Sequence, residues 1–151
     1  MSYSTRAEVR EMVKDDALNT IIGDTFIEDP AEREELVGPI IDGAIADADA
    51  EIDGYLAKRY AVPLAPAPRV INKFSKDIAI YNLFSRIGID ESTDQKTYLN
   101  RYNAAIAFLK LVAEGKASIG GESEDPATAA ATGLTVKSNP RLFTRGQMRG
   151  M

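Results

Sequence analysis

Apolar residues recur every three or four positions along most of this chain, and the recurrence stops after Gly115. The longest regular stretch is Ile41, Ile45, Ala48, Ile52, Tyr55 and Arg59, which step by 4, 3, 4, 3 and 4. Such spacing keeps one face of a helix apolar and is the pattern of a packing seam, whether inside a fold or between subunits. Leu56 and Tyr60 flank the end of the seam. Pro39 suits a first turn and disrupts a helix interior, so the regular helix is predicted to start near it and to end before Pro63. Gly43 and Gly54 each weaken this helix by about 1 kcal/mol relative to Ala, and by less if another backbone lies close.

Three further helices are predicted. Thr5 precedes Glu8 by three residues, the spacing of a capping box, and opens a helix running to about Asn19. Residues 23–33 read as a loop, with Pro30 suited to a first helical turn. Three prolines in "AVPLAPAPR" make a stiff, extended connection. A helix follows from about Pro68 to Ile87, with Val70, Phe74, Ile78, Tyr81 and Ser85 as its stripe, widened by Ile71 and Phe84. The last runs from about Asp94 to Glu114, after a turn in which Ser92 or Thr93 can supply the cap. Tyr98, Tyr102, Ala105, Ile106, Leu109 and Ala113 form its buried face, and Gly115 is a natural stop. The expected fold is mainly α: a small bundle of about four helices with one long central helix.

Beyond the helices the composition changes. Residues 126–151 hold Lys137, Arg141, Arg145 and Arg149 and no acid, a balance of +4, whereas residues 1–125 hold 14 Lys and Arg against 23 Asp and Glu, a balance of −9. Large apolar residues (Leu134, Leu142, Phe143 and Met148) stand among the arginines, which is unusual for a solubilising tail. The expected organisation is a helical body over 1–121 and an extended C-terminal arm over 122–151 that orders on assembly. Leu134, Arg141, Leu142, Phe143, Arg145, Met148 and Arg149 are its candidate contacts with a partner or a neighbouring subunit.

Four carboxylates, Asp47, Asp49, Glu51 and Asp53, fall within seven residues of the long helix. A calcium loop would need Gly where Ile52 stands and a bidentate acid where Lys58 stands. On a helix, acids two apart lie about 200° around the axis and cannot converge. Only Asp47 with Glu51 and Asp49 with Asp53 share a face, and each like-charge pair costs a few tenths of a kcal/mol unless cations answer it. The chain has neither histidine nor cysteine, which removes the commonest general base, thiolate metal sites and disulfides. "EGKASIGG" fails as a phosphate loop because the first glycine of the motif falls on Lys110. No nucleic-acid-binding signature is present. No catalytic, cofactor or metal residues are therefore assigned. Arg59, on the half-buried stripe, needs a carboxylate, and Asp77 of "FSKDIAIY" is the candidate.

The blocks "AIADADAEIDGYLAKRYAVPL", "DIAIYNLF" and "YLNRYNAAIAFLKLVAEGKASIG", in that order, resemble the Mu-like phage neck-protein family from about Tyr3 to Gly121. Its most specific residues are Ile52, Asp53, Tyr55, Leu56, Arg59, Tyr60, Pro63 and Leu64. The resemblance implies a head–tail connector, or adaptor, of a tailed phage: a homo-oligomeric ring of about twelve copies that meets the portal protein and the next neck or tail protein. It implies no catalytic residue. DNA would pass through the channel without sequence-specific binding, since an acidic wall repels phosphate. The expected location is the neck of the virion, after synthesis in the host cytoplasm. No apolar run approaches the ~18 residues of a membrane span, and no signal-peptide pattern opens the chain. The alternatives are a tail terminator or other tail-side structural protein, and a carboxylate-based hydrolase.

Overall fold

A computed structural model describes residues 1–23, 27–92 and 94–120. Among them lie α1 (Arg6–Met12), α2 (Asp15–Ile22), α3 (Pro30–Leu56), α4 (Arg69–Ser85) and α5 (Lys96–Ala113), and no strand. The fold is a helical bundle in which α3 contacts each of the other helices and packs most extensively on α4, while α5 covers another side of α4. The expected arm over 122–151 lies outside the described residues.

The expected first helix is two. Its capping box is present: Thr5 accepts from the Glu8 N–H, and the Glu8 carboxylate accepts from the Thr5 N–H at 2.8 Å. The helix breaks at Val13, which is extended and buried, because turning its side chain into the core outweighs continuing the ladder. Arg10 fills the break. It donates to the Val13 carbonyl at 3.0 Å and to Glu34 of α3 at 2.8 Å, and it pairs with Asp15 at the start of α2.

α3 departs most from expectation. It begins at Pro30, nine residues before the expected start, with Pro30 in its first turn and the Asp29 carboxylate capping Ala31 N–H at 3.0 Å. Pro39 sits inside it. The missing N–H orphans a carbonyl one turn back, at Glu35, where both residues are exposed and water can take the bond. Val37, Gly38 and Ile41 are buried on either side, so packing offsets the roughly 3 kcal/mol that an interior proline costs. Arg6 crosses the bare surface of Gly38 to reach Asp42 one turn on, as a two-pronged ion pair.

On α3 the stripe Ile41, Ile45, Ala48, Ile52 and Leu56 is buried, and Tyr60 is buried just past the helix end. α4 is buried on more than the expected side. Ile80 and Leu83 are in the core, whereas Ser85 is exposed, because α3 and α5 enclose α4 from two directions. α4 and α5 run antiparallel along three ring pairs. Phe74 meets Phe108 at 5.3 Å between centroids, Tyr81 stacks on Tyr102 at 4.0 Å, and Phe84 stacks on Tyr98 at 4.6 Å. Each such pair adds about 0.5–1.5 kcal/mol to the area it buries. The expected cap of α5 differs: Ser92 bonds back to Asp90 at 2.9 Å through its N–H, and no side chain caps the helix at Gln95. Thr93 lies outside the described residues.

α5 ends as the sequence predicts. Gly115 has φ +79°, its N–H donates to Val112 O at 3.0 Å, and the Lys116 N–H donates to Leu111 O at 2.8 Å. These two bonds form a Schellman motif. The Arg59 guanidinium lies so close over Gly115 that an added Cβ would fall 1.8 Å from its Nη1. By contrast, a Cβ at Gly43 or Gly54 would meet nothing within 4 Å, so no neighbouring backbone explains those glycines.

Opposite signs are expected for two glycine substitutions. Gly115→Ala forces left-handed backbone on a residue with a Cβ and displaces Arg59, lowering stability by at least about 1–2 kcal/mol. Gly54→Ala, in open helix, raises it by about 0.5–1 kcal/mol. Urea denaturation of both variants reads the difference; a shift of the same sign in both would contradict the structure.

Candidate functional site

The acids of α3 divide between two faces, as helical geometry demands. Asp49 and Asp53 point one way and receive the N-terminal segment of the chain. Asp49 accepts from Ser2 Oγ at 2.8 Å and from the Tyr3 N–H at 3.0 Å through Oδ2, and from Ser75 Oγ of α4 at 2.7 Å through Oδ1. Ser75 has one hydroxyl proton and gives it to Asp49, so Ser4, 2.8 Å away, donates to Ser75. Tyr3 Oη donates to Asp53 and accepts from the Leu64 N–H at 2.9 Å, while Asn72 of α4 donates to the Tyr3 carbonyl at 2.8 Å. The anticipated cost of the Asp49/Asp53 pair is met by hydroxyl and backbone donors in place of cations.

On the second face Glu51 accepts from Tyr102 Oη of α5 at 3.0 Å, beneath the Tyr81–Tyr102 stack. Asp47 is exposed on the same side. Among the described residues no group of three or more Asp, Glu, His or Cys side chains is placed to hold a metal ion. No helix among them is long and apolar enough to cross a membrane.

Burial, and then the hydrogen bond to Asp53, push the Tyr3 phenol up to about 12. Burial, and then Glu51, push Tyr102 to about 12 as well. Both hydroxyls act as donors to carboxylates, and deprotonation would set two anions face to face.

Of the expected seam residues, Ile45, Ile52, Leu56 and Tyr60 are in the chain's own core, and Tyr55 is half-buried against it. Arg59 and Asp77 have separate surroundings. Arg59 lies beyond the end of α3, against Gly115, where a cation complements the carbonyl end of α5. The buried Asp77 is answered by Lys73 at 2.7 Å and by Arg101 at 4.0 Å. The expected pair fails because α3 stops at Leu56, so Arg59 does not continue its face. Leu134, Arg141, Leu142, Phe143, Arg145, Met148 and Arg149 lie outside the described residues. Sequence reasoning missed Ser2, Tyr3, Ser4, Asn72 and Ser75. The one available signal was the unanswered Asp49/Asp53 pair, which calls for donors without saying where in the chain they are.

Fold and site together define a small helical protein whose carboxylates fasten its own chain. Residues 3–138 match the family described as Bacteriophage Mu, Gp36. The chain is 32% identical over 109 residues to gene product J of Escherichia phage Mu, covering 72% of this chain and 73% of that protein. It is 29% identical over 119 residues to the Mu-like prophage FluMu protein gp36 of Haemophilus influenzae, covering 79% and 80%. The chain belongs to the phage Mu gp36 family.

Asp49→Ala leaves three donors without their acceptor, two of them removed from water, and is expected to lower stability by about 2–4 kcal/mol. Asp47→Ala, on an exposed position, should stay within about 0.5 kcal/mol of the parent. Urea titration distinguishes the two. Raising pH gives a second expectation. The phenols titrate at about 12 in the folded chain and near 10 when unfolded. Between those values the unfolded state has lost protons that the folded state keeps. Stability is therefore full below about pH 10 and falls as pH rises toward 12. Tyr3→Phe should flatten that fall by up to about 1.4 kcal/mol per pH unit, measured by denaturation across the range. An unchanged slope would mean Tyr3 is not the buried donor.

Proposed function

We propose that this protein is a structural head–tail connector of a Mu-like tailed phage, forming a ring below the portal and around the DNA channel, and that it is not an enzyme. Family membership over nearly the whole body is the observation that carries the reading. The physical character of the body supports it. A ring subunit needs a rigid core and two different contact surfaces, because a head-to-tail interface joins unlike patches. Large apolar side chains are exposed on separate helices: Leu36 on α3, and Leu111 on the outer side of α5 beside exposed Ala104 and Ala107. The excess of acid over base in residues 1–125 suits a channel through which DNA slides.

Phage lacking this protein should make DNA-filled heads and complete tails that fail to join, as seen by electron microscopy. The labelled protein should restore joining in extracts, bind purified portal and remain on isolated heads. A protein that stays monomeric in the presence of portal, together with normal joining in its absence, would overturn the reading. Label found on isolated tails alone would make it a tail-side component.

A further inference from the structure

Between α3 and the C-terminal half of α4 runs an open groove of about 550 Å³. Ile40, Gly43, Ala44, Asp47 and Glu51 line it from α3, Ser85 from the end of α4, and Arg86 from just past that end. Its shape follows from the sequence of α3: Gly43 has no side chain, and a Cβ there would meet nothing within 4 Å. The lining changes character along the helix. Leu36, 44% exposed, lies one turn before Ile40, so the α3 edge is apolar at one end and carboxylate at the other. Among the described residues Asp47 has no ion-pair or hydrogen-bond partner, and Glu51 receives a single hydrogen bond, from Tyr102. Exposed leucine and an unanswered carboxylate on one edge are the two halves of a docking surface for a segment both apolar and basic.

The chain itself contains such a segment. Residues 134–151, "LTVKSNPRLFTRGQMRGM", carry four cations and no acid, with Leu142 and Phe143 between Arg141 and Arg145. We propose that the α3–α4 groove receives the C-terminal segment of a second copy, with Leu142 and Phe143 against Leu36 and Ile40, and with Arg145 and Arg149 meeting Asp47 and Glu51. The choice of a second copy rests on the ring reading above. Reach permits it: the fourteen residues from Gly120 to Leu134 span up to about 46 Å when extended. That exceeds the roughly 40 Å length of α3, so the segment can leave its own body entirely. Exchange of this kind joins an apolar and acidic groove on one copy to a basic tail on the next, which is a head-to-tail contact of the sort that closes rings.

The absence of native cysteine makes the test clean. Full-length Gly43→Cys and full-length Thr144→Cys are mixed and oxidised gently, without portal or any other phage component, and resolved by non-reducing electrophoresis. The mixture should yield a disulfide-linked heterodimer, whereas Arg69→Cys, exposed at the opposite end of α4 from the groove, mixed with Thr144→Cys should not. Adding Asp47→Asn and Glu51→Gln to the groove variant should slow linkage about tenfold, equivalent to about 1.4 kcal/mol. Equal linkage at positions 43 and 69, or none at 43, overturns the proposal. Closure of a chain carrying both cysteines, without linkage in the mixture, also overturns it by returning the tail to its own body. Amide hydrogen exchange supplies an independent reading. In the unmodified full chain, protection of residues 36–51 should rise with protein concentration, and Leu142→Ala/Phe143→Ala should abolish that rise. A missing rise in the unmodified chain counts against the proposal. Because these assays contain no portal, their failure leaves the connector reading to its own test, and success here leaves that test equally open.

Discussion

The carboxylate of Asp49 takes hydrogen bonds from Ser2, from the Tyr3 backbone and from Ser75, and so ties the N-terminal segment, α3 and α4 to one point. A carboxylate at a helix–helix junction is unfavourable unless its lone pairs are answered. Here every answer comes from a neutral group. That constraint places residues 2–4 across α3, which in turn sets where α1 begins and how Arg6 crosses Gly38 to Asp42. Asp53 extends the arrangement by one turn. Its bond from Tyr3, and the bond Tyr3 accepts from Leu64, bring the proline-rich connection after α3 against the same segment.

Around this polar junction the packing is conventional in kind. α3 contributes one face of Ile41, Ile45, Ala48, Ile52 and Leu56, and α4 lies between α3 and α5, buried on several sides. Three ring pairs run along the antiparallel α4–α5 contact, and Tyr102 of one pair also reaches Glu51. Carboxylates on α3 thus hold both flanks of the bundle: the N-terminal segment on one face and α5 on the other. Three of the four acids that crowd this stretch of the sequence, Asp49, Glu51 and Asp53, are anchoring points for other parts of the chain. Such anchoring fixes the helices relative to one another, because hydrogen bonds specify one arrangement where apolar contact alone permits several.

The parts of the molecule legible in the sequence are those governed by local rules. Period, capping and termination are written in neighbouring residues, which is why the capping box at Thr5 and Glu8 and the stop at Gly115 are found where they are expected. The errors have a common source in competition between a local rule and distant packing. Pro39 should end or start a helix, yet burial of Val37, Gly38 and Ile41 carries α3 through it. The first helix should be continuous, yet Val13 turns inward and breaks it. Arg59 continues the numerical stripe of α3, yet the helix has already stopped, and the side chain goes to the end of α5.

By itself the sequence determined that this protein is helical, that its long helix has an apolar face, and that the acids at positions 47, 49, 51 and 53 divide between two sides of it. Those conclusions require only the 3.6-residue turn and the chemistry of adjacent side chains. Tertiary structure decided what each acid does. The partners of Asp49 and Asp53 come from residues dozens of positions away, and hydroxyls, a backbone N–H and a phenol leave no periodic trace. A donor is identified by its position in space, and only the folded chain supplies that position.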